Sequence, residues 1–425
     1  MKNFLAMPAN DLLEHLWLPY TQMKTARQPL QAVATQGSLI RIKDGRELID
    51  GIASWWTACH GYNHPHIQAA LRGQLERMPH VMFGGLVHEP ALKLAARLAQ
   101  KAPGDLNHVF FVDSGSVAVE VAMKMAVQYW LNKGQSRPKM VSFRHGYHGD
   151  TMACMSVCDP DESMHSLFRD YLPKQFLADL PVDEASEQAF DDLLARQRKK
   201  IAAVLIEPLV QGAGGMKFFS PETLRRVADA CSRHGVLLIA DEIFVGFGRT
   251  GTFFACEQAG VTPDILCLGK GLTGGALSLA VTIARPHVFE AFLSGDSTRA
   301  LMHGPTFMAN PLACAAANAS LDLFETEPRL KQVARIEALL REGLAPCGRI
   351  PGVLDVRVKG AIGVVQCRNL GDHAALRTSF AEQGFWIRPF GDIVYLTPAF
   401  TIEEDQLAAL TSAIRGTLPA WLSRS

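Results

Sequence analysis

The sequence lacks the features that would mark most non-enzymatic classes. Neither charge is in excess: 42 Lys and Arg stand against 42 Asp and Glu. That balance argues against broad neutralisation of nucleic-acid phosphates and against a basic membrane-surface protein, and it leaves local charged pockets open. No internal repeat and no low-complexity tract appears. The nine cysteines are scattered and odd in number, and no CxxC pair occurs. A disulfide frame or a zinc site is therefore not expected, and reduced thiols are. Long apolar runs are missing too. Leu301 to Leu321 is free of acids and bases, but His303, Gly304, Pro305, Asn310, Pro311 and Asn318 break it as a membrane span. The apolar start from Met1 to Leu5 is too short, before Asp11 and Glu14, to read as a signal peptide. A cytoplasmic location is the expectation.

What is present fits an ordinary globular protein, 48% hydrophobic and 20% charged over 425 residues. Length alone, at ~150 residues per domain, suggests about three domains. The patterning suggests otherwise. Apolar runs at His108–Val112, Lys139–Arg144, Ile201–Ile206, Val236–Ala240, Ile265–Leu268 and Leu279–Ala284 have the length of buried strands. Amphipathic stretches such as Val117–Leu131 and Pro221–His234 alternate with them. The second of these starts on Ser220-Pro221-Glu222 and stops at Gly235, which are good helix signals. This βα alternation predicts an α/β domain with a mostly parallel sheet. The last hundred residues read as a small α+β unit. Short strands at Leu39–Ile42 and Glu47–Asp50 are too few to fold alone and must pack on something else.

Two positions carry the strongest chemical signal. One apolar run ends at Asp241 and another at Gly269-Lys270, both at the strand ends where open α/β sheets bind ligands. Pyridoxal phosphate needs such a pair: a lysine for its Schiff base and a carboxylate to keep the ring nitrogen protonated. Singly, either residue also reads as a solvated lysine or a turn-capping aspartate. Asp113-Ser114-Gly115-Ser116 lies between a strand and a helix, where free N–H groups suit a phosphate, or simply cap the helix. His145-Gly146-Tyr147-His148 follows another strand and offers an aromatic for stacking on a ring. Its two histidines, and those of His60-Gly61-Tyr62-Asn63-His64-Pro65-His66, lack the carboxylates or thiols that would complete a metal site. Gly246 to Gly251 matches GxGxxG. However, Asp241 to Val245 separate it from the strand end, and Thr252-Phe253-Phe254 does not open a helix. A nicotinamide-dependent oxidoreductase is the distant alternative that this motif leaves.

In order, Ser114-Gly115-Ser116, Gly146-Tyr147-His148-Gly149, Ile206-Glu207-Pro208, Asp241-Glu242, Gly248-Arg249-Thr250-Gly251 and Gly269-Lys270 resemble the class III, fold type I pyridoxal-phosphate aminotransferases over essentially the whole chain. A second set resembles the biotin-synthesis branch of that class. It comprises Pro19-Tyr20-Thr21, Ser54-Trp55-Trp56, His60 to Pro65, His80 to Gly85, Met302 to Met308 and Trp386 to Gly391. The resemblance implies a large cofactor domain over 56–327 and a small domain built from 1–55 and 328–425. It implies Lys270 as the Schiff-base lysine and proton shuttle, Asp241 at the pyridine nitrogen, and Tyr147 stacked on the ring. Gly115 and Ser116 hold the phosphate, with Pro305 and Thr306 completing that site from the other subunit of a homodimer. Tyr20, Trp55, Trp56 and Gly304 line the substrate pocket, and Arg388 anchors a carboxylate. The implied substrates are S-adenosyl-L-methionine and 8-amino-7-oxononanoate, with another ω-amine aminotransferase of the class as the alternative. No metal is implied. The chain departs from the pattern at Phe244, where most of the class has Gln and the biotin branch a small residue, and at Leu18, where a His is common.

Overall fold

The computed structural model describes residues 12–161 and 166–424. The readings that fell on Met1 to Asp11, including the start of the 1–55 unit, lie outside these residues.

A seven-stranded sheet forms the centre, in the order His108–Val112, Ala280–Ala284, Ile265–Leu268, Leu237–Asp241, Ile201–Ile206, Lys139–Phe143, Phe176–Ala178. All neighbours pair in parallel except Ala280–Ala284, which runs antiparallel to both of its partners. Ile201–Ile206, Leu237–Asp241 and Ile265–Leu268 are buried along their whole length. That is why they read as continuous apolar runs instead of alternating ones. Helices cover the sheet. Gly115–Asn132 packs against Ala280–Ala284 and Ile265–Leu268, and Pro221–His234 against Leu237–Asp241. Ser220 caps the latter helix through its hydroxyl, Pro221 opens it, and Gly235 ends it in the left-handed conformation at φ +59°.

The two chain ends meet in one sheet. Ala32–Gln36, Leu39–Ile42 and Glu47–Asp50 form a meander, and Phe385–Trp386 adds to it in parallel, pairing Trp386 with Asp50. A three-stranded sheet of Val353–Lys359, Ile362–Cys367 and Ile393–Leu396 lies beside helices Arg329–Leu344 and Glu404–Leu422 over a separate apolar core. The protein thus has a fold type I architecture: a large mostly parallel α/β layer and a smaller α+β layer drawn from both termini. The figure of three domains from length alone is corrected, because residues too few to fold by themselves join the far end of the chain. Strands Ala32–Gln36, Phe176–Ala178 and Phe385–Trp386 were not anticipated. All nine cysteines are unbridged and buried. Among the described residues, no helix is long and apolar enough to cross a membrane.

Candidate active site

The parallel strands all point their C-terminal ends at one cavity. Asp241 is the last residue of its strand. Lys270 follows the end of the next, Glu207 follows Ile201–Ile206, and the His145–Asp150 turn follows Lys139–Phe143. Helix Gly115–Asn132 begins here as well, its Ser114 side chain accepting from Val117 N–H at 3.4 Å. Trp56, Tyr147, Ala213 and Lys270 line both an inner cavity of ≈ 200 Å³ and an outer one of ≈ 310 Å³.

The inner cavity is the polar half. Gly115, Ser116, His148, Glu207, Asp241 and Phe244 face it. The carboxylate of Asp241 meets His148 Nδ1 at 2.8 Å and accepts the Ile243 N–H at 3.1 Å, with both partners of the ion pair buried. Burial alone would lower the His148 pKa, but the hydrogen bond to Asp241 and its charge outweigh that and raise it. Glu207 accepts N–H bonds from Tyr147 at 3.0 Å and Gly212 at 2.9 Å. Burial, helped by the charge of Asp241 against that of His148, pushes its carboxyl up to about 7. Burial lowers Lys270, outweighing Asp241, Glu207 and Asp150, so its neutral, nucleophilic form is favoured. Lys270 also has a φ of +43°, a strained value for a non-glycine residue.

This cavity was tested for pyridoxal phosphate by what its walls leave open. Gly149, at φ +125°, lies so close to Ser116 that a Cβ there would collide with the hydroxyl. Ser116 Oγ in turn accepts the Asp150 N–H at 3.2 Å. The helix N-terminus is therefore a cradle kept clear for an anion. With a buried carboxylate and a partly exposed amine on the same cavity, the donor set fits a phosphorylated pyridine aldehyde. Phe244 provides no hydrogen bond of the kind a Gln would. Its ring packs on Trp56 with centroids 4.3 Å apart, and a Cβ on Gly212 would come within 2.7 Å of it.

The outer cavity is aromatic. Tyr20, Trp55, Trp56, Tyr147, Phe390 and Tyr395 surround it, with Arg388 at one side. Arg388 lies over the Trp55 ring at 4.2 Å and Lys270 Nζ over the Trp56 ring at 5.2 Å. No carboxylate partner pairs with Arg388 among the described residues, so its guanidinium is available to a substrate anion. The hydroxyls of Tyr20 and Tyr147 both donate to Asp150, the latter at 2.9 Å. Burial and that carboxylate push Tyr20 up to about 12 and Tyr147 higher still, so both stay neutral donors. The two tryptophans sit on a left-handed turn, Ala53 to Trp56, with φ values of 45°, 50°, 57° and 73°. Each such residue costs about 1–2 kcal/mol relative to right-handed backbone.

The structure therefore brings together Tyr20, Trp55, Trp56, Gly115, Ser116, Tyr147, Asp241, Lys270 and Arg388. It does not bring Gly304, Pro305 and Thr306 to this cavity: Gly304 and Thr306 are exposed and Pro305 is half-buried. Sequence reasoning missed His148 as the partner of Asp241, because two histidines three apart suggested only a metal. It also missed Tyr395, which sits in an otherwise apolar strand with nothing to mark it. The GxGxxG segment is no dinucleotide site. Gly246 to Thr250 are buried, the Arg249 guanidinium donates to the Ala361 and Pro398 carbonyls, and no helix opens after Gly251.

The fold and this site define a class, and comparison with known proteins agrees. The family Aminotransferase class-III matches residues 21–418, and the chain belongs to it. It is an aminotransferase. Within the family it is similar to the adenosylmethionine-8-amino-7-oxononanoate aminotransferase of Mycobacterium leprae, 48% identical over 410 residues covering 94% of each chain. The protein of the same name from Corynebacterium glutamicum is 45% identical over 418 residues, covering 96% of this chain and 98% of the other. Among solved structures, that enzyme from Methanocaldococcus jannaschii superposes with a TM-score of 0.91 at 31% identity, covering 96% of this chain and 98% of the other. An amine transaminase from an uncultivated Pseudomonas species, solved with pyridoxal phosphate bound, has a TM-score of 0.86 at 32% identity, covering 94% and 97%.

Proposed function

We propose that this chain binds pyridoxal phosphate and moves the amino group of S-adenosyl-L-methionine to 8-amino-7-oxononanoate, giving 7,8-diaminononanoate for biotin synthesis. The observation that carries the reading is the joining of Lys270, a two-tryptophan wall and an unpaired Arg388 in one cavity. The similarity to adenosylmethionine-8-amino-7-oxononanoate aminotransferases over nearly the whole chain supports it. When bound, the cofactor supplies an aldehyde carbon for imine exchange and a ring that takes up an electron pair.

The residues have separable tasks. The N-terminus of helix Gly115–Asn132, with Ser116, binds the phosphate. Asp241 keeps a proton on the ring nitrogen, and His148 fixes that carboxylate in orientation and charge. Lys270, held neutral by burial, takes the proton from the donor α-carbon and returns it at the end. Trp55 and Trp56 cover apolar surface and attract the sulfonium by cation–π contact, so one pocket serves a nucleoside and a long keto acid in turn. Arg388 binds a carboxylate, and Tyr20 and Tyr147 donate hydrogen bonds from hydroxyls that do not ionise. Thr306 and Pro305, on an exposed loop, complete the phosphate site of a second copy in a homodimer, and Gly304 lets that loop approach the substrate. On this reading the domains run 1–55 with 328–425, and 56–327, and the enzyme works in the cytoplasm.

The donor separates this from the other ω-amine aminotransferases. Adenosylmethionine should support turnover, while ornithine, 4-aminobutyrate and alanine should not. Turnover with one of those three and none with adenosylmethionine sinks the substrate assignment and leaves the family intact.

A further inference from the structure

We infer that Asp50 is a positioning residue for the substrate wall: it holds the left-handed turn that aims Trp55 and Trp56 at Lys270 and Arg388. This rests on reading that cavity as the substrate pocket.

The turn needs a hold from outside. Ala53, Ser54, Trp55 and Trp56 are all left-handed, and none is Gly, Asn or Asp, the residues that visit this region routinely. Asp50 supplies the hold. One carboxylate oxygen accepts the Ile52 N–H at 2.8 Å. The other accepts the Ser54 N–H at 2.9 Å and the Tyr62 hydroxyl at 2.5 Å. Asp50 is 1% exposed, so water cannot replace it on those donors.

The turn is also wedged between the two charged groups it serves. At its root, Asp50 N–H donates to Ser38 O at 2.8 Å and Gly51 N–H to Trp386 O at 3.0 Å, two residues before Arg388. Thr397 N–H donates to Gly51 O at 2.7 Å. At its far end, Ala58 lies against Gly275, five residues past Lys270, where a Cβ would stand 2.9 Å from Ala58 N. With both ends fixed, loss of the carboxylate is relieved by the turn itself. Its relaxation moves Trp55 off Arg388 and Trp56 off Lys270, and neither charged residue need move.

The test compares Asp50→Asn with the double variant Asp50→Asn, Ser54→Gly in the cofactor-loaded enzyme. Asn turns an amide NH₂ toward donors that need an acceptor. KM for both substrates should rise about tenfold, with kcat changed less than about threefold and cofactor absorption unchanged. Glycine adopts the left-handed conformation freely, and Ser54 is exposed, so Ser54→Gly should recover much of the lost KM. A merely stabilising role predicts a lower melting temperature with parental KM. Folded, cofactor-loaded Asp50→Asn with parental KM overturns the inference, as does a double variant that recovers nothing. If Asp50→Asn does not fold, Tyr62→Phe takes its place, and an unchanged KM there overturns the inference equally. Near-ultraviolet circular dichroism of the indoles reads the turn without substrate. A parent that ignores adenosylmethionine therefore refutes the functional reading, while an unaltered indole signal in the variants refutes this one.

Discussion

Lys270 joins three properties: it follows a buried strand, it has a strained φ of +43°, and burial lowers its pKa. Lys270→Ala should abolish turnover and all borohydride-trapped adduct, checked by assay and by mass after reduction. More than trace turnover in that variant contradicts its role. A second residue sets a pH dependence of stability. Glu242 is buried, accepts the Ala255 and Cys256 N–H groups at 2.6 and 2.8 Å, and has its carboxyl pushed up from 4.5 to about 7. The folded state therefore holds this proton more tightly than the unfolded one. The stability it contributes is fully present below 4.5 and is lost as pH rises through about 7. Glu207 acts in the same direction. The urea midpoint of cofactor-free protein should fall across that window, and less steeply in Glu242→Gln. At this scale, Lys270, Asp241 and Arg388 were legible because their chemistry is rare at strand ends. His148, Asp50 and Tyr395 were not, because their roles depend on partners 93 positions away in one case and on backbone conformation in another.

Helix Gly115–Asn132 shows what an element adds. Its sequence announced a helix, but its function lies in what is kept clear of its first turn. Gly149 is the residue that keeps it clear, because no side chain fits between it and Ser116. Gly149→Ala combines that clash with an unfavourable φ of +125°. Affinity for pyridoxal phosphate should fall by about tenfold or more, measured by cofactor titration. A variant that binds like the parent removes the cradle from the account. Buried strands were legible from apolar runs with helix signals between them. Phe176–Ala178 and Phe385–Trp386, of three and two residues, were not, because so short a segment becomes a strand only when a neighbour offers its edge. The left-handed turn at Ala53–Trp56 was not legible for the same kind of reason. Its residues carry no local preference for that backbone, and the Asp50 carboxylate imposes it.

At the scale of the whole molecule, a neutral chain has gathered its charges unevenly. Asp241, Glu207 and His148 are sealed under the inner cavity, while Lys270 and Arg388 face the outer one. The outer cavity exists only because the chain ends close on the central layer. Trp55 and Tyr20 come from one end, Arg388, Phe390 and Tyr395 from the other, and Lys270 from the middle. That closure was visible in the sequence only as strands too few to fold alone. The exposed Gly304-Pro305-Thr306 segment belongs to the same scale. Sedimentation should give twice the chain mass, and Thr306→Ala should weaken cofactor binding by about tenfold without changing that mass. A monomer that binds cofactor fully would contradict the shared site. The central claim is that one cavity serves adenosylmethionine and 8-amino-7-oxononanoate in turn. Its most direct test is the absorption spectrum of the purified, cofactor-loaded protein as each substrate is added. The account predicts that adenosylmethionine converts the yellow pyridoxal form to the pyridoxamine form and that 8-amino-7-oxononanoate restores it. A spectrum that adenosylmethionine leaves unchanged, while another amine converts it, would contradict the claim.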